Sequence, residues 1–73
     1  MKKSTEIILV DNLAQALHLI ILDISRVKPR FSSSHFFRIL EARGLDARTY
    51  KKCMQILESQ YKIKIKENEI YVL

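Results

Sequence analysis

The sequence predicts a mainly α-helical domain that closes with a small β-hairpin. Two patterns predict this fold class. Before residue 61, apolar residues recur three and four positions apart in three stretches, which is the spacing of one face of an α-helix. From Lys62 onward lysine and isoleucine alternate, and this period of two is typical of a half-buried β-strand. A chain of 73 residues suffices for one small domain, so residues 1–73 are expected to form a single unit.

The first predicted helix covers residues 5–27. It should end at Lys28-Pro29, because proline disfavours helical backbone at the residue before it. The β-branched run over residues 6–10 leaves a second interpretation open, in which this run is a short strand and Asp11 caps a shorter helix. The apolar spacing predicts a buried stripe, which consists of Val10, Leu13, Leu17, Ile20, Ile24 and Val27.

Helix one is apolar around much more than half of its circumference. One small domain seldom covers so much apolar surface, so part of this helix is expected to contact a partner. The simplest partner is a second copy of the chain. The expected interface residues are Leu9, Ala16, Leu17 and Ile21.

The second predicted helix covers residues 34–43. Serines at positions 32–34 precede it and can cap its first turn. Gly44 follows its last arginine, where glycine readily adopts the left-handed backbone that ends many helices. Residues 30–31, just before the serines, are expected to be briefly extended. The side chains expected to face the core are Phe36 or Phe37, together with Leu40.

The third predicted helix covers residues 47–60, with Asp46 as its N-terminal cap. Its apolar spacing predicts a second buried stripe, which consists of Ala47, Tyr50, Met54, Leu57 and Tyr61. The opposite face is polar and carries several basic side chains. We therefore expect this helix to pack on the core through one face and to present the other face to solvent.

The last predicted element is a hairpin over residues 62–73. Its loop is either Glu67-Asn68 alone or the four residues 66–69. Both loop lengths give the same register, in which aliphatic residues pair: Ile65 with Ile70, and Ile63 with Val72. One face of the hairpin is then aliphatic. The other face is basic and carries Lys62, Lys64, Lys66 and Tyr71.

The order helix, short strand, helix, glycine turn, helix and hairpin resembles that of winged helix-turn-helix domains. The segment GLDARTYKKCMQILESQYKIKI, residues 44–65, is the most specific part, because it is similar to the turn and recognition helix of that family. The resemblance implies that helix three is a recognition helix and that the hairpin is a wing with its basic face toward a phosphate backbone. It also implies that the short strand near residue 30 pairs beside the wing.

Basic residues concentrate where this resemblance implies DNA contacts. Residues 26–66 hold eleven Lys and Arg against three Asp and Glu, whereas the whole chain holds 13 against 8. Arginine can read guanine, glutamine can read adenine, and lysines mostly neutralise phosphates. The expected contacts from helix three are Arg48, Thr49, Lys51, Lys52 and Gln55. Those from the wing and its neighbouring strand are Lys62, Lys64, Lys66, Lys28 and Arg30.

Other classes of function are not expected. The sequence has no nucleophile elbow, phosphate loop or paired acids, so it does not indicate an enzyme. His18, His35 and Cys53 lack the spacing of metal ligands, so neither a metal nor another cofactor is expected. A lone cysteine suits a reducing compartment, which favours the cytoplasm. Polar residues interrupt the apolar N-terminal stretch, so a membrane partner is not expected.

Two functions remain open. The first is a double-stranded DNA-binding protein, either a transcriptional regulator or a chromosomal factor, that forms a homodimer through helix one. The second is a non-enzymatic accessory subunit that docks on a replication or transcription assembly such as a DNA polymerase. The basic middle of the chain favours the first. The short wing, with Glu67 and Glu69 near its tip, and the broad apolar surface of helix one favour the second.

Overall fold

The computed structural model describes the backbone of residues 2–73 and the side chains of residues 9–73. Three helices and a three-stranded antiparallel sheet follow one another along the chain. Their bounds are α1 Lys2–Ser25, β1 Arg30–Ser32, α2 Ser33–Glu41, α3 Ala47–Ser59, β2 Ile63–Lys66 and β3 Glu69–Val72. The fold class predicted from the sequence, mainly helical with a closing hairpin, is therefore confirmed. Within the described residues, no helix combines the length and apolar content needed to cross a bilayer.

Helix α1 is continuous, so the alternative of a short strand over residues 6–10 is wrong. It ends two residues before the predicted position, at Ser25. The amides of Val27 and Lys28 both donate to the carbonyl of Ile24, and these bonds form a tight turn that carries the chain to Pro29. The proline rule thus placed the end of this helix to within two residues.

The buried stripe of α1 differs from the predicted one. Ala14, Leu17 and Ile21 are fully buried. By contrast, Ile20 is 43% exposed and Val27 is 90% exposed, so the prediction that these two residues face the core is wrong. Apolar residues occupy several parallel rows of α1, so their spacing alone does not select one row. Packing against α3, the helix that α1 contacts most, makes that selection.

Helix α2 begins as the serine run predicts. The Ser32 side chain accepts a hydrogen bond from the His35 amide, which is the bond expected of an N-terminal cap. At the other end Gly44 has a φ of +100°. Its amide donates to the Glu41 carbonyl, and the next amide, of Leu45, donates to the Leu40 carbonyl. This pair of bonds is the left-handed helix ending predicted for Gly44.

Helix α3 packs through a row of buried side chains, consisting of Tyr50, Cys53, Met54 and Leu57. The predicted stripe also included Ala47 and Tyr61, and both are exposed. Tyr61 is 83% exposed because α3 ends before it and its backbone turns left-handed, with a φ of +57°. The amides of Tyr61 and Lys62 donate to the carbonyls of Glu58 and Leu57, so Tyr61 takes the position that glycine holds after α2.

The sheet has the order β1-β3-β2, and its hairpin has the predicted register. The paired residues in the hairpin are Ile63 with Val72, Lys64 with Tyr71, Ile65 with Ile70, and Lys66 with Glu69. The loop is the two-residue alternative, with φ values of +52° at Glu67 and +63° at Asn68, as a type I′ turn requires. β1 pairs with β3, so it lies beside the hairpin as the resemblance implied.

All three helices and the sheet share one core. Ile63 and Ile70 are 1% and 0% exposed, and they cover the core from the sheet side. Phe36 is buried from α2 and makes edge-to-face contacts with Phe31 and Tyr50, with ring centroids 5.6 and 6.2 Å apart. The core therefore fixes α3 against both α2 and the hairpin, and these are the elements that carry the candidate site.

Candidate nucleic-acid interface

The solvent face of α3 is cationic. Arg48, Lys51, Lys52 and Gln55 are all exposed, as the sequence predicts. Arg48 and Lys52 are four residues apart, so their side chains lie one turn apart on the same face. Among the residues whose side chains the structure describes, the one ion pair joins Arg30 and Glu69. The three cations of α3 are therefore not neutralised by a described carboxylate.

Thr49 is placed differently from its predicted role. It is half-buried near the start of α3, where its hydroxyl interacts with the Asp46 carboxylate. That hydroxyl, followed by the amides of the first turn, lowers the pKa of Asp46, although none of these groups has the geometry of a full capping hydrogen bond. Asp46 thus marks the helix start as predicted. Thr49 is half-buried and is therefore less available to a ligand than its exposed neighbours Arg48, Lys51 and Lys52.

The basic residues of the hairpin separate into two groups. Lys64 and Lys66 are exposed, on the sheet face opposite the buried isoleucines. Lys62 is half-buried and donates a hydrogen bond to Gln15 Oε1 of α1. Burial, and then the nearby charge of Lys62, lower the pKa of His18. Lys62 is therefore fastened to α1, and the free cations of the hairpin are Lys64 and Lys66.

The two remaining predicted contacts are Lys28, in the segment before β1, and Arg30, the first residue of β1. Arg30 is opposite Tyr71 in the sheet, and its Nε is 3.8 Å from Glu69 Oε2. The Tyr71 hydroxyl donates to the same carboxylate oxygen at 2.8 Å. Lys28 lines a separate groove between the end of α1 and α2. The structure therefore does not place Lys28 with the cations of α3, and Arg30, unlike those cations, has a carboxylate within ion-pair distance.

The tip of the hairpin is tied to the start of α2. The Asn68 carbonyl accepts from the Ser33 amide at 2.8 Å. The Asn68 side-chain oxygen accepts from the Ser34 amide and hydroxyl at 3.2 and 2.9 Å. The hairpin pattern predicts Asn68 only as a turn residue. The run of three serines at residues 32–34, of which a cap needs only one, was the signal that could have indicated a second partner.

A groove of about 350 Å³ lies between α3 and the hairpin. Phe37, Met54 and Ile65 contribute its apolar lining, and Lys51 and Gln55 contribute polar side chains from α3. Glu58 also lines it and accepts a long hydrogen bond, 3.4 Å, from the Ile65 amide. This α3–β2 groove brings predicted site residues of α3 next to the hairpin.

The predicted partner interface on α1 needs correction. Leu9 and Ala16 are exposed, so their place in a partner interface stays a prediction. Leu17 and Ile21 are 2% and 0% exposed because they pack in the core of the same chain, so they are not interface residues. The exposed apolar residues of α1 are instead Leu9, Ala16, Leu19 and Ile20, with Val27 just beyond the helix, and the exposed polar residues Asn12 and Asp23 lie between them along the chain. We call the five apolar residues the α1 apolar row.

Comparisons of this chain with protein-family models, curated proteins and solved structures find no match.

Proposed function

We propose that this chain is a small winged-helix protein that binds double-stranded DNA, as a transcriptional regulator or a chromosomal DNA-binding factor. α3 would be the recognition helix and the β2–β3 hairpin the wing. The element order and the pairing of β1 beside the hairpin support this assignment. The observation that carries the proposal is the exposed cationic face of α3, whose charges no described carboxylate offsets.

In this proposal the exposed face of α3 enters the major groove. Residues near the start of a recognition helix reach base edges most easily, so Arg48 is the candidate for reading guanine through two donors. Lys51 and Lys52 neutralise phosphates beside it, and Lys64 and Lys66 do so from the wing. Because the wing tip is held against α2, the hairpin lysines stay at a fixed position relative to α3.

Binding of a duplex at several salt concentrations tests this proposal. If about four to six phosphates are neutralised per subunit, the logarithm of affinity should fall with log salt with a slope of roughly −4 to −5. Arg48→Ala should weaken binding by about 1–3 kcal/mol, and Lys52→Ala should reduce the slope by about one unit. Arg26→Ala removes the same charge from an exposed site at the end of α1 and is the matched control. Affinity poorer than about 10⁻⁴ M at physiological salt, unchanged by either α3 variant, would reject DNA binding.

The proposal includes a homodimer that forms through the α1 apolar row. Ala16 is the smallest residue in this row and lies near its middle, so two antiparallel helices could approach closely there. Larger side chains on either side, Leu9 and Leu19, would then pack around the crossing. A twofold dimer would present two recognition helices to half-sites about one helical turn apart. In sedimentation experiments the Leu19→Glu variant should be a monomer. A parent chain that is itself monomeric at about 100 μM would reject the homodimer.

One observation favours the second candidate, an accessory subunit of a replication or transcription assembly such as a DNA polymerase. The α1 apolar row would equally suit an apolar surface on a larger protein, and Val27 extends it beyond the helix with 90% of its surface exposed. If the parent chain is monomeric and its DNA affinity is weak and insensitive to the α3 variants, this candidate replaces the first.

A further inference from the structure

Strand β2 is an edge strand, and its free edge borders the α3–β2 groove. In the hairpin, the Leu73 amide donates to the Lys62 carbonyl, and residues two apart along a strand point their backbone groups to the same side. The backbone groups of Lys62, Lys64 and Lys66 therefore face β3. Those of Ile63 and Ile65 face the open edge, where the Ile65 amide meets only the 3.4 Å contact with Glu58 Oε2.

The outer face of β2 is cationic and its inner face is apolar. On the outer face Lys64 and Lys66 are exposed, and no described carboxylate lies within 4.0 Å of either ammonium group. On the inner face Ile65 is half-buried and lines the groove beside Met54 and Phe37. A strand added here would place alternate side chains against lysines and against an apolar lining.

We propose that the free edge of β2 binds an extended segment of a partner protein in which acidic and apolar residues alternate. The segment pairs its backbone with Ile63 and Ile65, directs its carboxylates to Lys64 and Lys66, and seats its apolar side chains in the α3–β2 groove. This is β-strand addition, in which backbone bonds supply affinity and alternate side chains supply specificity. Backbone pairing distinguishes this mode from DNA binding, because a sugar-phosphate backbone has no amide groups to pair with this edge.

Charge complementarity selects this occupant over a second copy of the chain. If the β2 strands of two copies paired edge to edge, side chains on the outer face of one strand would lie beside those on the outer face of the other. The lysines of the two copies would then oppose each other. Like charges placed directly across a strand pair are destabilising, and lysines on an edge strand prevent self-association for this reason. An acidic and apolar segment converts the same lysines into favourable cross-strand partners.

Glu58 acts as a competitor for this edge. Its carboxylate occupies the Ile65 amide that an added strand needs, and its charge lies beside the apolar lining of the groove. The contact is long and its partner amide lies at an open edge, so it is readily displaced. Removing Glu58 should therefore strengthen strand binding rather than weaken it, which is a result that general loss of structure would not produce.

The probe for the test is a fluorescein-labelled peptide of about eight residues that alternates glutamate and valine, a length typical of a strand. Its binding is measured by fluorescence anisotropy at low salt without DNA, and the affected residues are located by amide chemical shifts. Two N-methylated versions are compared, one methylated at every valine and the other at every glutamate. Only alternate amides of an added strand face β2, so one version should lose about tenfold or more in affinity and the other less than about twofold.

Variants of the protein complete the test. Glu58→Ala should raise affinity about threefold or more, whereas Glu41→Ala, which removes an exposed carboxylate from α2, should not. Lys64→Gln combined with Lys66→Gln should lower affinity about fivefold, and Lys28→Gln should leave it unchanged. No saturable binding up to about 1 mM, equal losses for the two methylated peptides, or no gain with Glu58→Ala would each overturn the proposal. Each of these outcomes leaves the DNA-binding measurements unaffected.

Discussion

Replacing Tyr50 with phenylalanine should measure how firmly α3 is fixed against α2. The Tyr50 hydroxyl is 2.8 Å from Ser33 Oγ, and it donates to the Ser33 carbonyl at 3.2 Å. Both residues are buried. Phenylalanine keeps the ring and its contact with Phe37, whose centroid is 5.0 Å away, but it removes both hydrogen bonds. The substitution therefore isolates the polar link between the two helices from their apolar packing.

The expected loss of stability is about 1–2 kcal/mol, because a buried hydrogen bond contributes roughly 1 kcal/mol and the Ser33 groups keep fewer partners. In a domain of this size that loss corresponds to a fall in melting temperature of roughly 4–8 °C per kcal/mol. Urea unfolding followed by circular dichroism measures it, with the slope m checked for constancy so that only the midpoint reports the change.

Two controls make this result specific. Tyr61→Phe removes a hydroxyl from a residue that is 83% exposed, and its effect should stay below about 0.5 kcal/mol. A double-mutant cycle with Ser33→Ala should give a coupling energy of about 0.5–1.5 kcal/mol. If the free energy of unfolding of Tyr50→Phe lies within about 0.3 kcal/mol of the parent value, or the cycle shows no coupling energy, the Tyr50 hydroxyl does not stabilise the packing of α3 on α2.

Three further predictions concern Tyr50, Tyr61 and Asn68. Burial raises the pKa of the Tyr50 hydroxyl, so this proton is released from the unfolded chain at a lower pH than from the folded chain. The free energy of unfolding should therefore fall above about pH 10. Urea midpoints of Tyr50→Phe should not show the part of this fall that is due to Tyr50. Tyr61→Gly should stabilise the chain by about 0.5–1 kcal/mol in urea unfolding, since glycine accepts the left-handed backbone at an exposed site; a loss would mean that the ring contributes contacts. Asn68→Gly should lower the melting temperature because it removes the two hydrogen bonds to Ser34. Glu67→Gly, in the same turn, should not lower it. Equal effects of the two substitutions would contradict a role for the Asn68 side chain.

The parts of the fold that the sequence predicted well are those where neighbouring residues determine the backbone conformation. Gly44 adopts the left-handed backbone predicted for it. The hairpin register follows from the two-residue period, because a slip by one residue would expose every isoleucine. Ser32 caps α2 for a similarly local reason. In each of these places the backbone hydrogen bonds join residues that are close in sequence, so the local pattern alone specifies them.

The errors occur where tertiary packing chooses between equivalent local solutions. On α1 both Ile20 and Ile21 fit an apolar stripe, and contact with α3 buries Ile21. Tyr61 fits the periodicity of α3, but the helix ends before it and the next residues must turn toward β2. Lys62 and Arg30 fit a basic face, yet their partners Gln15 and Glu69 are distant in sequence. Pattern and spacing contain no information about such pairs.

The distribution of charge over the sheet indicates where a phosphate backbone would lie. Glu69 sits among Arg30, Tyr71 and Lys66 on the outer face, so the β1–β3 side of that face is close to neutral. The β2 side carries Lys64 without a described carboxylate in contact. Across the α3–β2 groove, α3 adds Lys51. Lys64 on the outer face of β2 and Lys51 on α3 attract a polyanion to this side of the molecule more strongly than to the β1–β3 side of the sheet.

The proposed acidic strand would use the same hairpin lysines as the proposed DNA ligand, so the two should exclude each other. Both depend on Lys64 and Lys66, but they differ in what else they need. The proposed DNA binding uses Arg48 on the outer face of α3, whereas the proposed strand uses the free backbone of β2. Arg48→Ala should therefore weaken DNA binding while leaving the acidic peptide bound, and Glu58→Ala should make the peptide a better competitor of DNA. A peptide that binds without displacing the duplex would show that the two ligands occupy separate surfaces.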